Sequence, residues 1–202
     1  MTNFLGTRYA FEAFTLKASS AINNILLPKY YDPEAATTLR LMEANCDLIS
    51  IKELVSLGVI ELETGDEVGK LAYGGGDVSF VRTSDLGNWE LKYDPKQRVS
   101  QATYQAYKDK QSAQPEDILL VRDGTYLVGT SSMVMPADCQ MLYSGGIYRI
   151  RVKDKRVVDP YLLLALLNTE VCGRQMRNKP IYARCHRYFG AAPGGSCTSC
   201  SP

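Results

Sequence analysis

The chain has 202 residues and is poor in several things that particular activities need. It has one histidine, His186, and one tryptophan, Trp89. With no histidine before residue 186, the body carries neither a Ser-His-Asp triad nor a histidine-based metal site. Long apolar runs are absent too. The longest, Tyr161–Leu167, falls far short of the ~20 residues that cross a bilayer, so no membrane partner is expected. The first residues, MTNFLGTRYAFEAF, have no basic residue ahead of the apolar letters and no small-residue cleavage site, which reads against a secretory signal and for a cytoplasmic protein. There is no G-x-x-x-x-G-K-[ST] loop, and Gly74-Gly75-Gly76 precedes a strand pattern instead of following one, the wrong order for a phosphate-binding turn. No G-x-S-x-G elbow occurs. The [DNS]-P-P-[YFW] tetrad of base methyltransferases is missing, since Tyr31-Asp32-Pro33-Glu34 lacks the second proline and the aromatic. The expectation is a chain without cofactor, without metal and without catalysis of its own.

What is present is the balance of an ordinary globular protein, 45% hydrophobic and 22% charged. The net charge of +1 is unevenly placed. Residues 1–170 carry 18 Lys and Arg against 22 Asp and Glu, while residues 171–202 carry five basic residues and no acid. A near-neutral body does not coat nucleic acid by charge alone, but it can read a short site through a local basic face. Cys46, Cys139 and Cys172 are scattered as buried small apolar residues would be. Cys185, Cys197 and Cys200 share the last stretch with His186, but Cys185 and His186 are adjacent, which is the wrong spacing for a zinc knuckle.

Along the chain, residues 1–30 read as a poorly fixed arm with a short helix near Arg8–Lys17. Asp32-Pro33-Glu34 starts a helix that Asn45 ends, and Ser50 starts another that Gly58 stops. From Val59 to Val152, β-type runs alternate with turns: Val59–Leu62, Val78–Thr83, Trp89–Tyr93, Ile118–Arg122, Leu127–Met135 and Gly146–Val152. Ser100 caps one intervening helix running to Lys110. Asp159-Pro160 starts a helix that is apolar all round, hence expected to be buried, and Thr169 caps a more polar one to about Lys179. Strands do not alternate with helices, so the class is α+β.

Two segments carry a chemical signal. In residues 65–91 a glycine-bearing turn leads into a strand ending in Arg82-Thr83-Ser84-Asp85. In residues 114–135 a strand ends in Arg122-Asp123-Gly124-Thr125 and returns through Val128-Gly129-Thr130. Each is an apolar strand delivering an arginine, an acid and hydroxyls to a glycine-bearing loop. The plain alternative is a surface ion pair in each, contributing ~0–1 kcal/mol.

The strings TGDEVGKLAYG, FVRTSDLGNWELKYDPK, VRDGTYLVGT and DPYLLLALL, in that order and spacing, resemble the target recognition domain of type I restriction-modification specificity subunits. The similar C-terminal domain of adenine-specific DNA methyltransferases resembles them as well. The likeness runs from about Ile25 to Lys179. It implies a β-rich specificity domain with a double β-helix-like body, followed by a C-terminal α-helical hairpin. Boundaries fall at an arm over 1–30, a recognition body over 31–158, a hairpin or spacer start over 159–179 and a tail over 180–202. The implied partners are double-stranded DNA and a DNA methyltransferase, either a separate modification subunit or a fused catalytic domain. The residues implied to meet DNA are Arg82 and Arg122 on guanine, Thr83, Ser84, Thr125, Ser131 and Ser132 on bases or phosphates, Lys70 and Lys92 on phosphate (with Lys96 and Arg98), and Tyr73, Trp89, Tyr126 and Tyr143 on sugar or base, with Asp123 also in the set.

From Pro180 the resemblance stops, and the tail is read as aberrant and disordered. PIYARCHRYFG and the expected continuation QFTRDVIDTL are compatible with one DNA stretch read in two frames, so a frameshift near codon 179 is the hypothesis. Gene sequencing that shows no overlapping frame removes it. The functional expectation is sequence-specific DNA recognition by a truncated specificity domain. The alternative is a module or remnant that binds the modification methyltransferase without DNA.

Overall fold

The computed structural model describes residues 33–177 apart from 70, 71, 73, 93–96, 124 and 125, together with 14, 15, 17, 19 and 31. Of the predicted helix near Arg8–Lys17 only residues 14, 15 and 17 are described, none of them helical, and the tail from Pro180 lies outside the described residues.

Local capping chemistry explains where the helices begin. Helix α1 (Pro33–Glu43) starts on its proline, and the Asn45 amide donates to the Leu41 carbonyl just past its end. Helix α2 (Ile51–Ser56) begins where the Ser50 hydroxyl accepts from Glu53 N–H, and it ends before Gly58, whose φ of +70° suits glycine. Strands β1 (Ile60–Thr64), β2 (Val78–Val81), β3 (Trp89–Glu90) and β4 (Arg98–Val99) follow. Helix α3 (Gln101–Tyr107) is capped by Ser100 and stops short of Lys110. Then come β5 (Ile118–Val121), β6 (Ser131–Met133), β7 (Met141–Tyr143), β8 (Ile147–Val152), α4 (Pro160–Leu167) and α5 (Glu170–Arg177). Asp159 caps α4 by accepting from Tyr161 and Leu162 N–H.

The strands form two sheets in a mixed α+β arrangement. One has the order β1-β8-β5-β6-β3 and the other β4-β2-β7. Among the described residues, only the β3–β6 and β2–β7 pairs are parallel. Side-chain alternation sorts the core into three layers. Ile118, Leu120, Tyr148 and Ile150 face α2 and α4. Leu119, Val121 and Ile147 meet Val81, Met141 and Tyr143 between the sheets. Val78, Phe80, Val99 and Leu142 pack beneath Tyr104 and Tyr107 of α3. Strand β5 is apolar throughout because both of its faces are covered.

Between the sheets lies a charged cluster. Arg149, 2% exposed, pairs with Glu61, Glu63 and Asp117, and Arg151 binds Asp117 through Nε and Nη2, both at 2.7 Å. Burial works against ionisation of Glu61, but hydrogen bonds with Lys153 and Glu63 and the charges of Arg149 and Lys153 outweigh it and hold its carboxyl below the ordinary range.

Two expectations are corrected here. Helix α4 is not buried all round: Pro160, Leu163, Leu164 and Leu167 face the sheet, while Tyr161, Leu162 and Leu166 are exposed. A helix lying on one sheet buries one stripe, and no further described layer covers the other. The body cysteines are not buried either, since Cys46 is exposed and Cys139 and Cys172 are half-buried.

Candidate nucleic-acid interface

The two signal segments meet at one end of the sheets. Strand β2 runs out at Arg82, and Thr83–Asp85 form a 3₁₀ turn. The Asp85 carboxylate is buried and accepts from both Arg82 N–H (3.0 Å) and Arg82 Nε (3.2 Å), fixing the backbone and the guanidinium together. A hairpin follows, closed by the Leu86–Leu91 bridge, and the Lys92 amine donates to the Ser84 carbonyl.

Strand β5 runs out at Arg122, whose guanidinium pairs with Asp123 (Nε to Oδ2, 2.7 Å) and lies over the Tyr148 ring at 5.4 Å. The Arg122 and Asp123 N–H groups both point at the Gly146 carbonyl. Gly145-Gly146, the turn between β7 and β8, brings the loops into contact. A Cβ on Gly146 would sit 2.9 Å from Thr83 Cγ2 and 3.9 Å from Asp123 Cβ. The sequence marked this glycine pair only as a turn, and nothing in it signalled that two arginine loops close over it.

Trp89 has a φ of +79° and is 53% exposed, an unusual backbone for a bulky residue and one that concentrates at binding sites. Tyr126 is 81% exposed on the loop after Asp123. A groove of about 640 Å³ runs beside the hairpin, bordered by Asn88, Lys92 and Gln140. The loops at this end thus carry two guanidinium groups held by carboxylates, the hydroxyls of Thr83 and Ser84, and the exposed rings of Trp89 and Tyr126. Its acids nearly balance its bases: Arg82 is paired with Asp85 and Arg122 with Asp123.

Other predicted contacts fall elsewhere. Lys70, Tyr73 and Thr125, with Lys96, lie outside the described residues. Arg98 sits on β4, donating to the Asp77 carbonyl. Ser131, Ser132 and Tyr143 are corrections, because all three are fully buried. Their hydroxyls serve the interior or nothing: the Ser131 Oγ accepts from Asn168 and the Ser132 Oγ donates to the Gly87 carbonyl. The Tyr143 hydroxyl is buried with no hydrogen-bond partner among the described residues.

Burial of that phenol pushes its pKa up to about 12. The folded state therefore holds a proton that the unfolded chain loses near pH 10. Its stabilisation is present below about pH 10 and is lost as pH rises towards 12. Tyr143→Phe is expected to raise stability by about 1 kcal/mol at pH 7 and to flatten the alkaline loss, with DNA binding unchanged. Urea unfolding at pH 7 and pH 11 checks this, and a marked loss of stability at pH 7 would refute it.

No family model matches the chain, and no curated protein matches it. Fifteen chains of solved structures match it, and two of them follow. One is a chain from a structural account of complex assembly and conformational transition of the type I R-M system, with 18% identity and a TM-score of 0.43 over 69% of this chain and 34% of that one. The other is the HsdS subunit from Thermoanaerobacter tengcongensis, with 15% identity and a TM-score of 0.40 over 78% of this chain and 42% of that one. The chain thus spans less than half the length of either.

Proposed function

We propose that the chain recognises a short double-stranded DNA sequence as the non-catalytic specificity part of a type I-like restriction-modification system. In this reading it directs adenine methylation by a separate modification subunit or a fused catalytic domain, works in the cytoplasm, and its β body corresponds to the double β-helix-like body of such domains. The observation that carries the reading is the meeting of the Arg82–Asp85 and Arg122–Asp123 loops over Gly146. Two guanidinium groups, each aimed by a carboxylate, are the side chains that bind guanine O6 and N7 in a bidentate way. Thr83 and Ser84 supply hydroxyls for base edges or phosphate, and Trp89 and Tyr126 supply rings for sugar or base.

A second reading, an interaction module that binds a methyltransferase without DNA, is favoured by the exposed Tyr161, Leu162 and Leu166 of α4. Selection of the full chain against a randomised duplex library at two salt concentrations separates the two. An enriched motif of a few base pairs supports DNA reading. Binding that vanishes at moderate salt with no motif rejects it in favour of the protein partner.

A further inference from the structure

The β5–β6 loop, residues 122–130, holds Arg122, Asp123 and Tyr126. Its closure depends on the backbone: Gly129 N–H donates to the Val121 carbonyl (3.1 Å) and Val121 N–H to Thr130 (2.9 Å). Two contacts from the helical hairpin then bear on its returning limb. At the break between α4 and α5, Asn168 Nδ2 donates to the Ser131 Oγ (2.8 Å) and to the Ser131 carbonyl (3.3 Å). Near the end of α5, Met176 lies over Gly129, where a Cβ would come within 3.1 Å of the Met176 methyl. Gly129 has a φ of +91°, so this position takes glycine for backbone reasons as well. Met176 is itself anchored, packed on the cluster that contains Leu164 and Leu167.

The neighbouring serine acts in the other direction. Alternation along β6 turns Ser132 away from the helices, and its hydroxyl donates to the Gly87 carbonyl at 2.7 Å, in the hairpin that carries Trp89. The serine pair thus ties the α4–α5 break and the hairpin carrying Trp89 to one short strand.

We infer that the α4–α5 hairpin positions the recognition loop 122–130 through Asn168 and Met176, which act on sequence discrimination without being placed at the interface. The inference rests on the DNA-reading function proposed above. A base-reading arginine must be held to a fraction of an ångström, and groups outside the contact set that tolerance. Removing the Met176 side chain frees the Gly129 limb while the ladder of β5 with β8 remains.

The test uses the full chain with Met176→Ala and Met176→Leu. Amide hydrogen exchange is expected to rise at least tenfold within 122–130 in Met176→Ala and to stay within twofold across β5 and β8. Met176→Leu is expected to restore the wild-type pattern. In library selection, Met176→Ala is expected to flatten the base positions lost with Arg122→Ala and to keep those lost with Arg82→Ala. Exchange that rises equally everywhere reports only a less stable fold and overturns the inference, as does unchanged exchange in 122–130. A looser loop with an unaltered motif overturns the role in discrimination. A wild-type chain that enriches no motif defeats the DNA-reading function instead, and the exchange pattern then decides the positioning by itself.

Discussion

Arg82→Ala combined with Arg122→Ala is expected to lower affinity for the selected duplex by 100-fold or more and to abolish the preference for its motif. Each bidentate arginine–guanine pair discriminates by about 1–3 kcal/mol, and the two loops supply two such forks. The slope of affinity against salt should change little, since base contacts do not carry the phosphate term. Each single variant should lose different base positions, because the arginines leave from different strands, β2 and β5. The Arg122–Asp123 pair is partly exposed on both sides and contributes about 0–1 kcal/mol to stability, whereas Arg82→Ala leaves the buried Asp85 with the N–H of residue 82 and is expected to cost more, so the thermal melt is read beside the binding. Competition binding with the motif and with a scrambled duplex, beside a thermal melt, is the measurement. Unchanged DNA affinity would remove both loops from the interface. Persistent methyltransferase binding in the double variant would then point to the exposed face of α4.

The largest effect on stability is expected from Asp117→Ala. This carboxylate is 1% exposed and accepts from Arg151 Nε and Nη2 and from Gln114 N–H at 2.8 Å, with Arg149 Nη1 at 3.7 Å. Its loss leaves the buried Arg149 with Glu61, Glu63 and the Ser112 carbonyl and takes away the carboxylate that Arg151 binds. Breaking a buried pair from one side costs about 3–5 kcal/mol, because the remaining charge stays desolvated. For a chain of this size that corresponds to a fall in Tm of roughly 10 °C. Asp117→Asn, which keeps the shape and one acceptor, should fall between. Thermal and urea unfolding of the two variants test this. A loss below about 1 kcal/mol in Asp117→Ala would mean that Glu61 and Glu63 suffice to balance Arg149.

Features whose cause is local were legible in the sequence. Ser50, Ser100 and Asp159 announced α2, α3 and α4 because a cap and its N–H partner lie within three residues of each other. The strand Ile118–Val121 was legible from its unbroken apolar run. Strand β4 went unseen, as did β7, because two or three residues hold no period and their partners are remote in sequence. The run Leu127–Met135 read as one strand, but Gly129 at positive φ spends its first half closing a loop. Ser131 and Ser132 looked like surface hydroxyls. Their partners, Asn168 and Gly87, stand 37 and 45 residues away, and no local pattern announces such a bond. For the same reason both arginine–aspartate pairs could be read from the sequence, but their meeting over Gly146 could not.

The order β1-β8-β5-β6-β3 also bears on how fast the chain folds. The β5–β6 hairpin joins neighbours in sequence, but Ile60 must wait for Val152 before β1 has any partner. Long closures of this kind slow the folding of small domains towards milliseconds to seconds. On the ribosome, β1 therefore emerges long before its partner strand, and the five-stranded sheet closes only after Val152 has been synthesised. Until then the apolar side of β1 is open to chaperones, and the nascent chain is at its most vulnerable while the two arginine loops are still being translated.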